Sequence, residues 1–154
     1  MTRKQEARPE AKVRKYMSEN VVTIPLGETL KLAEDIMSLG HIRHLPVVDA
    51  GLLVGVVSQR DLLRASLTTL LEHSNVDREL FLESVQISEV MTPLARTISP
   101  NAPIAEAARL MLKHKIGCLP VVAKEGEREI VGLITETDVL RAFLDQLGPR
   151  SDSR

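Results

Sequence analysis

The sequence predicts an α/β (α+β) fold of two β-α-β-β-α repeats that pack about a pseudo-two-fold axis. Residues 13–49 align with residues 87–123 and residues 54–65 with residues 131–142, and about a third of these paired positions are identical. Within each copy, a helical apolar period lies between extended, β-branched segments. At roughly 60 residues neither copy could bury enough apolar surface to fold alone. We therefore expect the two copies to share one core.

Each repeat is predicted to begin with a short extended segment followed by a helix. In the first repeat Leu30, Ala33 and Met37 recur at helical spacing and predict its buried face. In the second repeat Asn101 is the predicted N-cap of the matching helix, and Pro103 lies in its predicted first turn.

Two strands and a second helix are predicted to complete each repeat. Residues 45–58 and 119–135 each hold two β-branched runs separated by a turn-rich gap. Helical spacing then resumes, with Asp61 and Asp138 in the opening turns, where a carboxylate suits the helix dipole. The second aligned block, residues 54–65 with residues 131–142, spans this strand-to-helix junction.

The repeats set the predicted domain boundaries. The first repeat covers residues 13–65, a helical linker covers residues 66–86, and the second repeat covers residues 87–145. Apolar residues on both sides of a polar break predict two helical pieces in the linker. Residues 1–12 and 148–154 are predicted to be mobile tails.

The composition disfavours several classes of protein. The net charge of −1 and the absence of Trp disfavour a nucleic-acid partner, which needs a positive field and stacking platforms. The most apolar run, residues 45–57, is interrupted by Asp49 and is shorter than the roughly 20 residues of a membrane-spanning helix. Cys118 is the single cysteine and the N-terminal segment is polar, so we expect a cytoplasmic protein without disulfides or membrane contact.

The two repeats resemble the cystathionine-beta-synthase (CBS) motif. The likeness lies in an M-[ST] start, an I-x-x-L-P-V-V strand and the segments GVVSQRDLLRA and GLITETDVLRA. It covers about residues 13–65 and 87–142 and implies a stand-alone tandem CBS pair that regulates another protein and catalyses no reaction. The resemblance further implies that AMP, ADP, ATP or S-adenosylmethionine binds in clefts between the copies. Such a module would report energy or methyl-donor status.

The resemblance points to ligand-binding residues in both repeats. Ser58 with Asp61, and Thr135 with Asp138, place a hydroxyl and a carboxylate at a helix start, where the carboxylate can accept hydrogen bonds from a ribose diol. These four residues could instead serve only as helix caps. Further contacts implied by the resemblance, for which a purely structural role stays open, are Thr23, Ile42, Arg43, His44, Pro46, Thr97, Ile116, Gly117, Cys118 and Pro120.

Phosphate recognition is predicted to differ between the two sites. The basic residues of the first repeat near its site are His41, Arg43, His44 and Arg60. Those of the second repeat are His114 and Lys115. Arginine suits phosphate through its fork of donors, and the second repeat has Gly117 and Thr137 where the first has its two arginines. We therefore expect the Asp61 site to prefer a phosphate tail, and its counterpart to be weaker, to take a nucleoside or to stay empty.

No catalytic constellation, catalytic cofactor or metal site is predicted. Cys118 has no neighbouring base, and His41 and His44 would point to opposite faces of a strand. The alternative function is a homodimeric interaction scaffold with no functional ligand. We expect a homodimer in either case, because the helix faces at residues 30–39 and 104–112 would be left partly uncovered. The sequence does not identify the effector protein.

Overall fold

The computed structural model describes residues 10–72 and 77–148 and confirms the predicted fold class. The first repeat comprises β1 (Ile24–Pro25), α1 (Leu30–Gly40), β2 (His44–Asp49), β3 (Leu52–Ser58) and α2 (Gln59–Glu72). A short helix α3 (Arg78–Ser84) follows. The second repeat comprises β4 (Thr92–Pro93), α4 (Ile104–His114), β5 (Cys118–Val122), β6 (Ile130–Thr135) and α5 (Glu136–Leu147). Most of the predicted tails, residues 1–9 and 149–154, lies outside the described residues.

The helices α1 and α4 begin differently although they occupy equivalent places. In α1 the side chain of Thr29 accepts a hydrogen bond from the backbone N–H of Leu32 at 3.3 Å, as an N-cap residue does. The prediction of Asn101 as the N-cap of α4 is wrong, because that helix begins at Ile104 with Pro103 as its N-cap. The first N–H group of α4 is instead satisfied by a distant carbonyl, since the Ile104 N–H donates to the oxygen of Ala11 at 2.8 Å.

Two small sheets organise the repeats. The first has the order β1-β2-β3-β4, with β1 parallel to β2 and the other pairs antiparallel. The second contains β5 antiparallel to β6. Isolated bridges extend this second sheet, because Ile98 pairs with Val121 in parallel and Ser18 pairs with Leu133 in antiparallel. Both repeats therefore show the same arrangement of four extended segments.

The segment that precedes each repeat lies on the sheet of the other repeat. Strand β4, which precedes α4, pairs with β3 of the first repeat. Ser18, which precedes α1, exchanges two backbone hydrogen bonds of 2.9 Å with Leu133 in β6. The buried side chains follow the same exchange, since Val13 and Tyr16 pack in the core of the second repeat and Ile87 packs in that of the first. The two repeats are therefore interlocked.

Two glycines make this close approach possible. A Cβ on Gly55 would lie 2.6 Å from the carbonyl oxygen of Thr92 and 2.8 Å from the sulfur of Met91. At the equivalent place, a Cβ on Gly132 would lie 2.7 Å from the sulfur of Met17. Each distance is too short for a real carbon contact. The glycines and methionines are identical between the repeats because the same contact occurs twice. In each case the segment that precedes one repeat passes over a glycine in the sheet of the other.

No helix in the described ranges is long and apolar enough to cross a membrane.

We expect Gly55→Ala and Gly132→Ala each to lower the free energy of unfolding by about 1–3 kcal/mol, because the added methyl group overpacks the crossing. Urea denaturation monitored by circular dichroism measures this loss. Gly27→Ala is the control, since a Cβ there meets nothing within 4 Å. A loss at Gly27 as large as that at Gly55 would contradict the interpretation.

Candidate functional site

A cleft of about 1010 Å³ opens where the two repeats meet. The first repeat contributes the start of β2, the end of β3 and the first turn of α2. The second contributes Thr92 of β4, residues 94–96 behind it, and residues 115–118 between α4 and β5. We call this space the Asp61 cleft, because Asp61 is the carboxylate that the sequence singled out within it.

The cleft gathers about half of the predicted site residues. Those that line it are Arg43, His44, Ser58, Arg60, Asp61, Ile116, Gly117 and Cys118. Those that do not line it are Thr23, Ile42, Pro46, Thr97, Pro120, Thr135 and Asp138. Pro46 and Pro120 are buried in the sheets, where they pair with Val56 and Leu133.

Asp61 uses one carboxylate oxygen to hold the start of α2. Its Oδ2 accepts hydrogen bonds from the backbone N–H of Ser58 at 2.8 Å and from the Ser58 hydroxyl at 2.6 Å. The Asp61 N–H in turn donates to the Ser58 hydroxyl oxygen at 3.2 Å. The capping role is therefore present. It leaves Oδ1 without a donor among the described residues, so capping and ligand binding are compatible in one side chain.

Asp138 repeats this capping arrangement but has no oxygen left over. Its Oδ2 accepts from the N–H and hydroxyl of Thr135 at 2.9 and 2.8 Å, and its Oδ1 accepts from Arg141 at 3.0 Å. The residue is 7% exposed. Arg64 is the repeat equivalent of Arg141, yet it lines the Asp61 cleft and makes no ion pair with a described residue. The two carboxylates are therefore not equivalent.

The imidazole of His44 sits against Gly117 of the other repeat. A Cβ on Gly117 would lie 2.8 Å from the Nε2 of His44, so the ring in its present position occupies the space of a side chain at residue 117. Burial lowers the pKa of His44, and Arg43 lowers it further, whereas Glu136 acts in the opposite direction. The ring is consequently neutral at neutral pH and offers one donor and one acceptor nitrogen.

Cys118 is a buried cysteine with a free thiol, and it lines the same cleft as His44. Burial raises its pKa to about 12, and the nearby carboxylates of Glu136 and Asp61 act in the same direction. A thiol with that pKa is protonated at neutral pH and is a poor nucleophile. Among the described residues, no three His, Cys, Asp or Glu side chains are grouped to hold a metal ion.

Sequence reasoning missed or misplaced several basic residues of the cleft. Lys115 was assigned to the second site, but it lines the Asp61 cleft, whereas its neighbour His114 does not. Arg96 was not predicted as a site residue and lines the cleft as well. Arg96 lies three residues after β4, which contains the Thr of the second M-[ST] start and pairs with β3 of the first repeat. The repeated M-[ST] start was therefore the signal that could have located Arg96 near the first repeat.

Comparisons with known proteins agree with the repeat structure. A family model described as CBS domain matches residues 13–68 and 87–145. A CBS domain-containing protein from Dictyostelium discoideum is 36% identical over 138 residues, which cover 89% of this chain and 94% of that protein. A homoserine O-acetyltransferase from Methanococcoides burtonii is 32% identical over 81% of this chain, but the match covers only 22% of that enzyme. The chain thus spans a small part of some of its relatives.

Solved structures share the fold over most of the chain. AcuB from Vibrio cholerae has a TM-score of 0.71 and 38% identity, covering 94% of this chain and 98% of that one. CBSX2, solved in complex with AMP, has a TM-score of 0.70 and 28% identity, covering 88% and 98%. The CBS domain pair of protein MJ0100, solved with 5-methylthioadenosine and S-adenosyl-L-methionine, has a TM-score of 0.68 and 28% identity, covering 88% and 97%.

We expect the native protein to react slowly with a thiol reagent such as 5,5′-dithiobis(2-nitrobenzoate) at pH 8. With a pKa of about 12, only about one Cys118 in 10⁴ is a thiolate at that pH, and burial hinders access further. The same protein unfolded in urea serves as the control and should react at the rate of an ordinary cysteine. Equal rates in the native and unfolded protein would show that the thiol is neither buried nor perturbed.

Proposed function

The chain belongs to the CBS domain family, and from that premise we propose that it is a regulatory module that binds an adenosine nucleotide in the Asp61 cleft. The candidate ligands are AMP, ADP, ATP and S-adenosylmethionine. Two similar solved structures contain AMP, or 5-methylthioadenosine with S-adenosyl-L-methionine, which supports an adenosine-containing ligand.

The observation that carries the proposal is the unused Oδ1 of Asp61. The hydrogen bonds from Ser58 to Oδ2 fix the orientation of the Asp61 carboxylate in the cleft. They leave its Oδ1 without a hydrogen-bond donor among the described residues. A ribose diol supplies the donors that this oxygen lacks, and such charge-assisted hydrogen bonds are strong. Ile116 and Cys118 line the same cleft, and their backbone groups are the contacts that we propose for a base.

The origin of the cleft walls supports a regulatory role. Arg43 and Asp61 come from the first repeat, whereas Arg96 and Gly117 come from the second. A ligand that contacts both walls stabilises one relative arrangement of the repeats over others, which is how a binding module passes on a signal. The protonated thiol of Cys118 does not supply a nucleophile for catalysis.

The alternative, a homodimeric scaffold, is supported by exposed apolar side chains on two pairs of helices. The expected faces on α1 and α4 bury inward residues such as Leu30 and Ile104, but they leave Leu39 and Leu112 84% and 80% exposed. Along α2 and α5 more than half of each of six apolar side chains is exposed as well, at Leu63, Leu67, Leu140, Phe143, Leu144 and Leu147. Leu63 with Leu140, and Leu67 with Leu144, are repeat equivalents, so the apolar surface shares the internal symmetry and suits a second copy of the chain.

We expect Asp61→Ala to weaken nucleotide binding about tenfold or more, because hydrogen bonds to a charged group contribute about 1.5–3 kcal/mol each. At a ligand concentration near 100 times the dissociation constant, the unaltered protein should gain about 2.7 kcal/mol of stability, and the variant should lose most of that gain. Thermal shift across AMP, ADP, ATP, NAD and S-adenosylmethionine, followed by calorimetry, measures both effects.

Two further variants control for capping in that experiment. Asp61→Asn keeps an oxygen for the Ser58 donors while removing the charge. This variant should fold normally, yet its affinity for the nucleotide should be reduced as in Asp61→Ala. Asp138→Ala removes the equivalent cap of α5 and should leave affinity nearly unchanged, since both oxygens of Asp138 already have protein donors. Weak binding only in Asp138→Ala would move the site to the other repeat. No stabilisation by any compound would favour the scaffold alternative.

We expect the protein to sediment as a dimer of about twice its 17.0 kDa chain mass. Leu67→Glu combined with Leu144→Glu should yield monomers, because charges in an apolar interface cannot be solvated. Leu39→Glu is the matched control, since Leu39 is 84% exposed but lies on α1. A monomer in the unaltered protein at micromolar concentration, or dissociation caused only by Leu39→Glu, would contradict the assignment to α2 and α5.

A further inference from the structure

The Asp61 cleft carries a concentration of positive charge that the chain as a whole lacks. Its basic residues are Arg43, Arg60, Arg64, Arg78, Arg96 and Lys115. Arg78 is paired with Glu34 on α1. In the part of the chain that the structure describes, the other five make no ion pair. They are therefore available to a ligand.

The carboxylates of the cleft do not offset these cations. Glu34 is held by Arg78, and Asp35 is held by Lys31 at 3.0 Å. Asp61 and Glu136 remain, so five unpaired cations face two unpaired carboxylates, an excess of three positive charges. The whole chain has a net charge of −1, which makes the local excess a property of the cleft.

The cations come from both repeats. Arg60 is adjacent in sequence to Asp61 and belongs to the same helix, α2, which also carries Arg64. Arg96 and Lys115 belong to the second repeat, where Lys115 ends α4 in the left-handed conformation with φ 54°. A ribose held by Asp61 would therefore lie on the helix that carries two of the cations, while the second repeat supplies two more to the same cleft.

One phosphate group cannot engage five cations, because its three terminal oxygens accept few bidentate arginine contacts. A diphosphate or triphosphate presents more oxygens and more negative charge to the same cleft. S-adenosylmethionine carries a sulfonium, an ammonium and a carboxylate group, so its net charge is positive and a cleft with excess positive charge repels it. His44 adds no charge at neutral pH, since burial lowers its pKa.

Resting on the proposed nucleotide function, we propose that the Asp61 cleft selects adenosine nucleotides with two or three phosphates over AMP, and discriminates against S-adenosylmethionine. Arg96 and Lys115 are the residues that distinguish a long phosphate tail from a short one. Asp61 of the first repeat holds the ribose, and Arg96 and Lys115 of the second repeat read the number of phosphates.

The test is calorimetry with adenosine, AMP, ADP, ATP and S-adenosylmethionine at 0.15 M ionic strength, where distant charges are screened and cleft contacts dominate. ATP should bind about tenfold or more tightly than AMP, and S-adenosylmethionine more weakly than AMP. Arg96→Gln and Lys115→Gln should each weaken ATP binding by roughly five- to tenfold and AMP binding by less than about twofold. Arg109→Gln removes the same charge from an exposed position on α4 outside the cleft and should change neither affinity.

The outcomes separate this inference from the function on which it rests. AMP or S-adenosylmethionine binding as tightly as ATP would overturn the selectivity while leaving a nucleotide site. Equal losses of AMP and ATP affinity in Arg96→Gln and Lys115→Gln would overturn the role of these two residues. If none of the compounds binds, the proposed nucleotide function itself fails.

Discussion

The structure depends on the passage of each repeat's leading segment across the sheet of the other repeat. Met17 and Met91 lie over Gly132 and Gly55, where a side chain of even one carbon would collide with them. Because this contact occurs twice, neither repeat has a complete sheet or core without its partner. The pair is consequently the folding unit, as expected for copies that are too small to fold alone.

The candidate site is a product of that interlocking. Strand β4 joins the first sheet at Gly55, and the chain that leaves it passes directly into the cleft at Leu94 and Arg96. The second repeat thereby supplies a wall to a site whose carboxylate belongs to the first. Gly117 of the second repeat packs against His44 of the first, because its lack of a side chain leaves space for the imidazole ring.

The repeat, the fold class and the position of Asp61 could be predicted because they depend on local periodicity and on motifs that occur twice. The packing between repeats could not, since apolar periodicity marks a buried face without naming what covers it. The Asn101 prediction failed for this reason, because a carbonyl from residue 11 satisfies the start of α4. Lys115 was predicted to belong to the second site because the sequence relates a residue only to its own repeat. The Asp61 cleft is lined by residues of both repeats.

The ion pair between Arg141 and Asp138 bears on how a single chain would respond to a change in ligand concentration. Two equivalent open sites in one chain could cooperate, and their saturation curve could be sigmoidal. With the second carboxylate held by an arginine of its own helix, the described part of the chain has one open carboxylate of this kind. If that carboxylate holds the ligand as proposed, occupancy of the chain follows a simple hyperbola, and any steeper response must arise from contacts between chains.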